Sequence, residues 1–403
     1  MKEEQKQKKI FARFLLGRKP LCWVLCACCI ALIISSCRHE KDDNEPPATL
    51  RKTIILWMPW TASMTSTSGS LYTFFQKNIE DCEKAIVEDG GLNDCRLMVF
   101  IQKNATQAAL VNITYDRGTC FRDTLSTYTN VDVTSPDKMA QVLEQIKAVA
   151  PAETYGLVIG SHGDGWLPKD ITIRKTRAYG GSVPRFRTDI SDLAEALSLA
   201  SLHPQFILFD DCYMANVETA FTLRQHTDWL LASTSEVMSA GVPYAEVWNE
   251  LTAEEPNYEK ICQAFYTYYI YSETPYGTLS AIRCEKMDEV AALMKEINKR
   301  YTFHSSHINQ IQKLDGYEET VFFDFGSYLK DLCLQDDPLF AQMQVAMQEL
   351  VPWHVHTAQI YSIYQFAYVD VTEFSGITIS DPTENSLVEG RLSETAWWEA
   401  TQM

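Results

Sequence analysis

Past residue 50, short uninterrupted apolar runs alternate with longer stretches whose apolar residues recur at helical spacing. This rhythm limits the architecture more than any other feature of the chain. A strand that reads as continuously apolar is buried on both faces, so it belongs in a mainly parallel sheet covered on both sides by helices. Strands are expected at 53–58, 97–101, 156–160, 206–209, 229–232 and 279–283. Helices are expected at 71–87, from the Ser135-Pro136-Asp137 cap to Val149, and from Thr188-Asp189 to Ala200. Further helices are expected near 215–225, 257–269 and 288–300. The fold class is therefore α/β, and sheets of this kind gather their reactive groups beyond the carboxyl ends of the strands.

Hydrophobic residues make up 46% and charged residues 22% of the 403, which excludes wholesale disorder, collagen-like repeats and a polytopic membrane protein. Lys and Arg total 35 against 53 Asp and Glu, a formal charge of −18. A chain this acidic repels phosphate backbones, so no nucleic acid partner is expected.

The amino-terminal segment has a different character. Residues 1–20 hold seven Lys/Arg and two Glu, and 21–34 (LCWVLCACCIALII) is an apolar run of fourteen, short for a permanent membrane span. Together they read as the n- and h-regions of a signal peptide, 1–36. Ile34-Ser35-Ser36-Cys37 resembles the lipobox of bacterial lipoproteins, which implies acylation of Cys37, palmitate included, and a lipid anchor in a bacterial membrane. The plainer reading is an ordinary signal peptide with an incidental cysteine. Residues 37–51, with Pro46 and Pro47, read as a solvated tether, followed by a core at 52–300 and an extension or subdomain at 301–403. Without 1–36 the charged residues fall to 28 basic and 51 acidic, a formal charge of −23. The expected location is the exported side of a bacterial cell envelope, at the outer membrane or cell surface.

Seven cysteines remain beyond the leader and anchor: 82, 95, 120, 212, 262, 284 and 333. An odd number leaves at least one thiol free, and no pair has C-x-x-C spacing, so a zinc or redox motif is unsupported. Most are expected to be buried and inert.

Two of the strand ends carry chemistry. The third expected strand runs YGLVIGSHGDGW and ends at Ser161-His162-Gly163; the fourth runs QFILFDDCYMAN and ends at Asp210-Asp211-Cys212. Parallel neighbours would bring His162 and Cys212 to one rim, where imidazolium stabilises a thiolate. The glycines beside His162 permit close approach to a carbonyl, a free N–H there can donate to an oxyanion, and a helix following Cys212 would favour the thiolate. Either residue alone is more often a satisfied polar group or a packing cysteine. Their separation of 50 residues is close to that of caspase-like peptidases, although the Gln-Ala-Cys context is missing.

The blocks S-H-G-D-G-W (161–166) and F-D-D-C-Y-M-A-N-V-E (209–218) resemble the histidine and cysteine blocks of the clostripain family, cysteine peptidases of caspase-like fold. The segment 230–244 (LLASTSEVMSAGVPY) is similar to that family's next block, and 321–332 and 374–382 to weaker carboxy-terminal ones. The resemblance implies a caspase-like, mainly parallel sheet sandwiched by helices with a C-terminal α/β extension. It also implies a cysteine endopeptidase, a thiol hydrolase acting on peptide or protein substrates. His162 would be the acid/base and Cys212 the nucleophile. The Gly163 and Cys212 backbone N–H groups would form the oxyanion hole. Asp210 would select Arg or Lys before the scissile bond, or else serve as a structural aspartate bonded to loop N–H groups; Glu236 is the candidate second carboxylate.

Calcium is suggested by the family alone; no cofactor is required by the dyad itself. The chain departs from the family at Asp211, where a small residue is usual, and at 58–63 (MPWTAS), where an Asp/Asn-rich turn is usual.

Between the two blocks, 164–188 holds Lys169, Arg174, Lys175, Arg177, Arg185 and Arg187, which the resemblance marks as candidate self-processing sites; the alternative is a solvated loop. His354-Val355-His356 lacks a third metal ligand, and no nucleotide-binding glycine motif follows a strand. The rival to a peptidase is a catalytically inactive surface lipoprotein acting as a binding module. A ligase or transpeptidase would use the same dyad.

Overall fold

The computed structural model describes residues 47–59, 71–171, 186–363 and 365–402. In chain order the first elements are β1 (Leu50–Met58), α1 (Leu71–Glu88), β2 (Cys95–Asn104), β3 (Gln107–Asp116), β4 (Thr119–Thr129), α2 (Pro136–Val149), β5 (Ala152–Gly160) and α3 (Ile190–Leu199). Then come β6 (Phe206–Asp210), α4 (Val217–Leu223), β7 (Trp229–Ala232), α5 (Tyr244–Thr252), α6 (Tyr258–Ile270), β8 (Thr278–Arg283) and α7 (Met287–Asn298). The last stretch adds β9 (Phe323–Asp324), α8 (Phe325–Leu332), α9 (Pro338–Leu350), β10 (Trp353–His356), β11 (Gln359–Ser362), β12 (Ala367–Asp370), β13 (Thr378–Ile379), α10 (Ser386–Glu389) and α11 (Ala396–Thr401).

Nine strands form the main sheet in the order β10-β8-β7-β6-β5-β1-β2-β3-β4. The five central strands, β7 to β2, are parallel, and antiparallel pairs close both edges. All six expected strands are present. The β3–β4 hairpin and α5 were not expected. β4 is exposed along most of its length, so its sequence lacks the apolar run that marks a buried strand. The first strand begins at Leu50, inside the segment read as tether.

Alternation along β1 divides the core. Ile55 and Trp57 face one side with α2, α3, α4 and α7, while Ile54, Leu56 and Met58 face the other with α1, α5 and α6. Each large apolar side chain buried here contributes about 1.5–3 kcal/mol, and a cut such as Leu208→Ala in β6 should cost about 2–5 kcal/mol. Lys52 is also fully buried; its ammonium donates to Gln205 Oε1 (2.7 Å) and the Ala253 carbonyl, and desolvation lowers its pKa to about 8. This lysine closes the amino end of the sheet, opposite the rim described below.

Residues past 300 share the same core: β10 extends the main sheet beside β8, and Trp397 of α11 packs against Phe221 of α4. β13 reaches the segment that follows β6, where Thr378 N donates to the Ala215 carbonyl at 2.9 Å. Among the described residues no helix is long and apolar enough to cross a membrane. The signal segment and Cys37 lie outside the described residues.

Candidate active site

The β5–β6 register pairs Gly160 with Asp210, so His162 and Cys212 each stand two residues beyond a paired position on neighbouring parallel strands. Both are partly exposed at the carboxyl rim of the sheet. The two turns are packed against each other. A Cβ added to Gly163 would lie 2.3 Å from the Cys212 carbonyl oxygen and 2.9 Å from its nitrogen, so only glycine fits here. Among the described residues neither the Gly163 nor the Cys212 amide has a hydrogen-bond acceptor. Two adjacent unspent N–H groups beside a thiol are what an oxyanion requires.

Asp211 is fully buried and reaches the neighbouring strand end. Its carboxyl accepts from Ser161 N and from Ser161 Oγ (3.0 Å), and burial raises its pKa well above the carboxylate range. The departure from the family's small residue therefore serves as a tie between the histidine and cysteine turns. Tyr213, next in sequence, has φ 62°, a left-handed conformation that costs a bulky residue roughly 1–3 kcal/mol. The surroundings hold it there. Its N–H donates to the Ser235 carbonyl (3.0 Å), its ring stacks on Phe322 (5.1 Å between centroids), and its hydroxyl donates to Glu236 (3.0 Å).

The Cys212 sulfur accepts from Val237 N at 3.3 Å. Burial pushes the thiol well above its ordinary range, and the Glu236 carboxylate adds to this. The expected help from a helix dipole is weak. α4 starts at Val217, capped by Asn216, whose side chain accepts from Thr219 N (2.7 Å). The helix thus begins five residues after Cys212 rather than directly behind it, and the dipole effect fades within a turn.

Asp210 is buried beneath the loop leading to α5. It accepts from Val242 N (3.0 Å) and Tyr244 OH (2.8 Å), and desolvation raises its pKa to about 6. Gly241, at φ 71°, packs on this carboxylate; a Cβ there would fall 2.4 Å from Oδ2. Glu236 is buried as well. Its Oε1 accepts from Tyr213 OH and from Ile363 N (2.8 Å) at the β11–β12 turn, and burial raises its pKa to about 7. Sequence reasoning did not single out Tyr213 or Ile363, whereas Gly241 and Tyr244 belong to the 230–244 block, which the resemblance ties to a Gly/Pro/Tyr loop at the substrate site. Only the Gly-Val-Pro-Tyr stretch, 241–244, carried a local signal.

Of the six basic candidates in 164–188, Lys169 pairs with Asp192 (2.8 Å) at the start of α3, and Arg187 is buried, donating to the Ile171 carbonyl (2.8 Å). As folded, Arg187 offers no scissile bond. Arg174, Lys175, Arg177 and Arg185 lie outside the described residues. The neighbouring Asp170 is held by Arg391 at 3.0 Å.

His354 and His356 each donate Nδ1 to a carbonyl, those of Val351 (3.2 Å) and Thr357 (2.9 Å). Among the described residues no three His, Cys, Asp or Glu gather as a metal site. The seven cysteines are all free, five of them buried.

A caspase-like sheet with this rim defines a cysteine peptidase. The sequence model of the Clostripain family matches residues 63–376, and the chain belongs to that family. Among curated proteins, none matches this sequence. Solved structures do. A secreted C11 cysteine protease from Bacteroides thetaiotaomicron is 37% identical with a TM-score of 0.81, over 88% of this chain and 100% of that one. An inactive zymogen C11 protease from Parabacteroides distasonis is 26% identical with a TM-score of 0.76, over 89% and 99%. A clostripain from Bacteroides thetaiotaomicron in complex with the peptide inhibitor BTN-VLTK-AOMK is 43% identical with a TM-score of 0.54, over 56% and 99%.

Proposed function

We propose that this peptidase cleaves after Arg or Lys through a His162/Cys212 dyad. The observation that carries the dyad is the β5–β6 register, which sets the two residues level on adjacent strands with Gly163 against the Cys212 peptide. Cys212 attacks the scissile carbonyl as its proton passes to His162, and the Gly163 and Cys212 amides receive the oxyanion. His162 returns the proton to the leaving amine, which departs. It then draws a proton from water as the hydroxide attacks the thioester, releasing the acid and restoring the thiol.

Asp210 supports the preference for a basic residue, and so does the lysine that closes the VLTK inhibitor of the 43%-identical clostripain. Asp210 now spends its oxygens on Val242 N and Tyr244 OH, and a substrate cation would join or replace those donors.

Self-processing within 172–185 is part of the reading, because four of the six basic candidates, Arg174, Lys175, Arg177 and Arg185, fall in that segment. A nicked chain would stay assembled, because the cut would fall between β5 and β6, which are hydrogen-bonded neighbours. Export and acylation at Cys37 complete the reading, with the catalytic unit carried on the 37–51 segment.

The test uses soluble protein starting near Glu45 with Cys212→Ala beside it, incubated with fluorogenic peptides ending in Arg, Lys, Asp or Leu. Turnover of Arg and Lys peptides that vanishes in the variant is the expected result. Turnover that persists in Cys212→Ala removes the dyad, and a preference for Asp or Leu removes the role of Asp210. Unchanged rates in a chelator and in added calcium are expected of a dyad that needs no cofactor.

A further inference from the structure

A second feature of the same rim is not used by the dyad. Beside the loop that covers Asp210, a groove of about 870 Å³ runs between the start of α5 and the end of α6. Its walls include Ala240, Glu246, Gln263, Tyr268, Tyr271 and Glu273. Tyr271 is 83% exposed and Tyr268 38% exposed, an unusual presentation for two large rings on one helix end. Glu246 and Glu273 are both exposed, and neither has an ion-pair partner among the described residues. One turn along α5, Glu250 pairs with Lys260 of α6 at 3.0 Å, so the protein neutralises this helix pair elsewhere and leaves the groove acidic.

The groove lies against the loop that covers Asp210. Ala240 lines it, and the next residue, Gly241, packs directly on Asp210. Tyr269 of α6 clamps the same loop, donating its hydroxyl to the Gly241 carbonyl at 2.8 Å. One loop thus borders both Asp210 and the groove, which puts the groove on a side along which a peptide held at Cys212 can extend.

We propose that this groove is an extended subsite that takes a second basic side chain of the peptide being cleaved, which makes Lys/Arg-rich cationic peptides the favoured substrate class. A lysine or arginine stem covers the tyrosine rings, its charged head sits over their faces, and the two carboxylates receive it. An acidic side chain meets repulsion from both glutamates, and an apolar one leaves them unanswered. The proposal rests on the reading of Cys212 as the peptide-cleaving nucleophile.

The experiment presents soluble enzyme with peptides that share one scissile Arg and carry Lys, Gly or Glu at each of positions two to six on either side. A Lys preference is expected at one or two neighbouring positions. It should be about three- to tenfold in kcat/KM over Gly, and it should fall in high salt as exposed ion pairs do. The ratio should collapse toward one in the Glu246→Gln/Glu273→Gln double variant. Binding is read separately by fluorescence anisotropy of labelled Lys and Glu peptides on the Cys212→Ala protein, with and without the two Gln substitutions. Absence of a preference, or one that survives the double variant in both readouts, overturns the groove. Loss of turnover with the binding preference intact overturns only the dyad.

Discussion

The Cys212 turn and the 238–243 loop leave adjacent strands at the same rim and are both anchored by buried groups, yet they differ in what they expose. The first is bound through buried groups: the Asp211–Ser161 tie, the Gly163–Cys212 contact and the left-handed Tyr213 wedged against Phe322. The second is pinned at three points, by Asp210 beneath, by Tyr269 from the side and by Asn78, which donates to the Ala240 carbonyl (3.4 Å), and then opens onto exposed tyrosines and unpaired glutamates. Reacting atoms must be held to within about half an ångström, whereas recognition tolerates long exposed side chains each contributing little. On the proposed reading, chemistry belongs to the packed turn and selectivity to the open loop.

If that division holds, the largest effects come from the turn. Cys212→Ala should lower kcat/KM by at least about 10⁴-fold, measured on Arg peptides with active-site titration. Gly163→Ala places a methyl 2.3 Å from the Cys212 carbonyl and should cost about 10²–10³-fold in kcat with an unchanged circular dichroism spectrum. Ordinary activity in that variant would mean that the two turns can separate freely.

On the selective side, Asp210→Asn should lower the ratio of Arg to Leu cleavage by about 10–100-fold. Burial raises this carboxyl to about 6, so wild-type selectivity should climb as pH rises through 6 and the group ionises. A pH-independent ratio would place the cation elsewhere. Asp211→Ala strands the Ser161 amide and should reduce stability by about 1–3 kcal/mol in denaturant unfolding. Asp211→Asn, which keeps an acceptor, should restore much of that loss and also the rate of Cys212 alkylation.

The smallest effect concerns Glu218 on α4, just behind the turn. It accepts from Ser380 N (2.9 Å), its Oε2 is buried without a partner, and burial raises its pKa to about 8. A carboxyl that holds its proton more tightly when folded loses stability for the protein as pH rises from about 4.5, its ordinary value, to about 8. Glu218→Gln should flatten that decline, so that its melting temperature exceeds wild type by about 2–4 °C at pH 8 and matches it near pH 4.5. Equal slopes in the two proteins would remove Glu218 from the pH response.

The central strands were legible because burial on both faces leaves an unbroken apolar run. β4 was not, since its exposed residues, CFRDTLST, read as polar loop. α4 was expected from 215 and starts at Val217, because the Asn216 side chain caps it there. α5 escaped notice because it is only nine residues long and follows Pro243 directly. His162 and Cys212 were legible as a pair because each follows an apolar run directly, and parallel neighbours carry such ends to one rim. Tyr213 and Ile363 gave no signal, since their contacts with Glu236 join segments 23 and 127 residues apart.

Local periodicity was enough to specify the six buried strands, and two strand-end motifs pointed to the family and to the candidate pair, because each depends on residues close in sequence. The ionisation of Asp210, Asp211 and Glu236, the tie between the two turns and the acidic groove all arose on folding. Two consecutive aspartates look alike as letters. One came to rest under the substrate loop and the other across to Ser161, because what excludes water from a carboxyl is the set of neighbours packed around it.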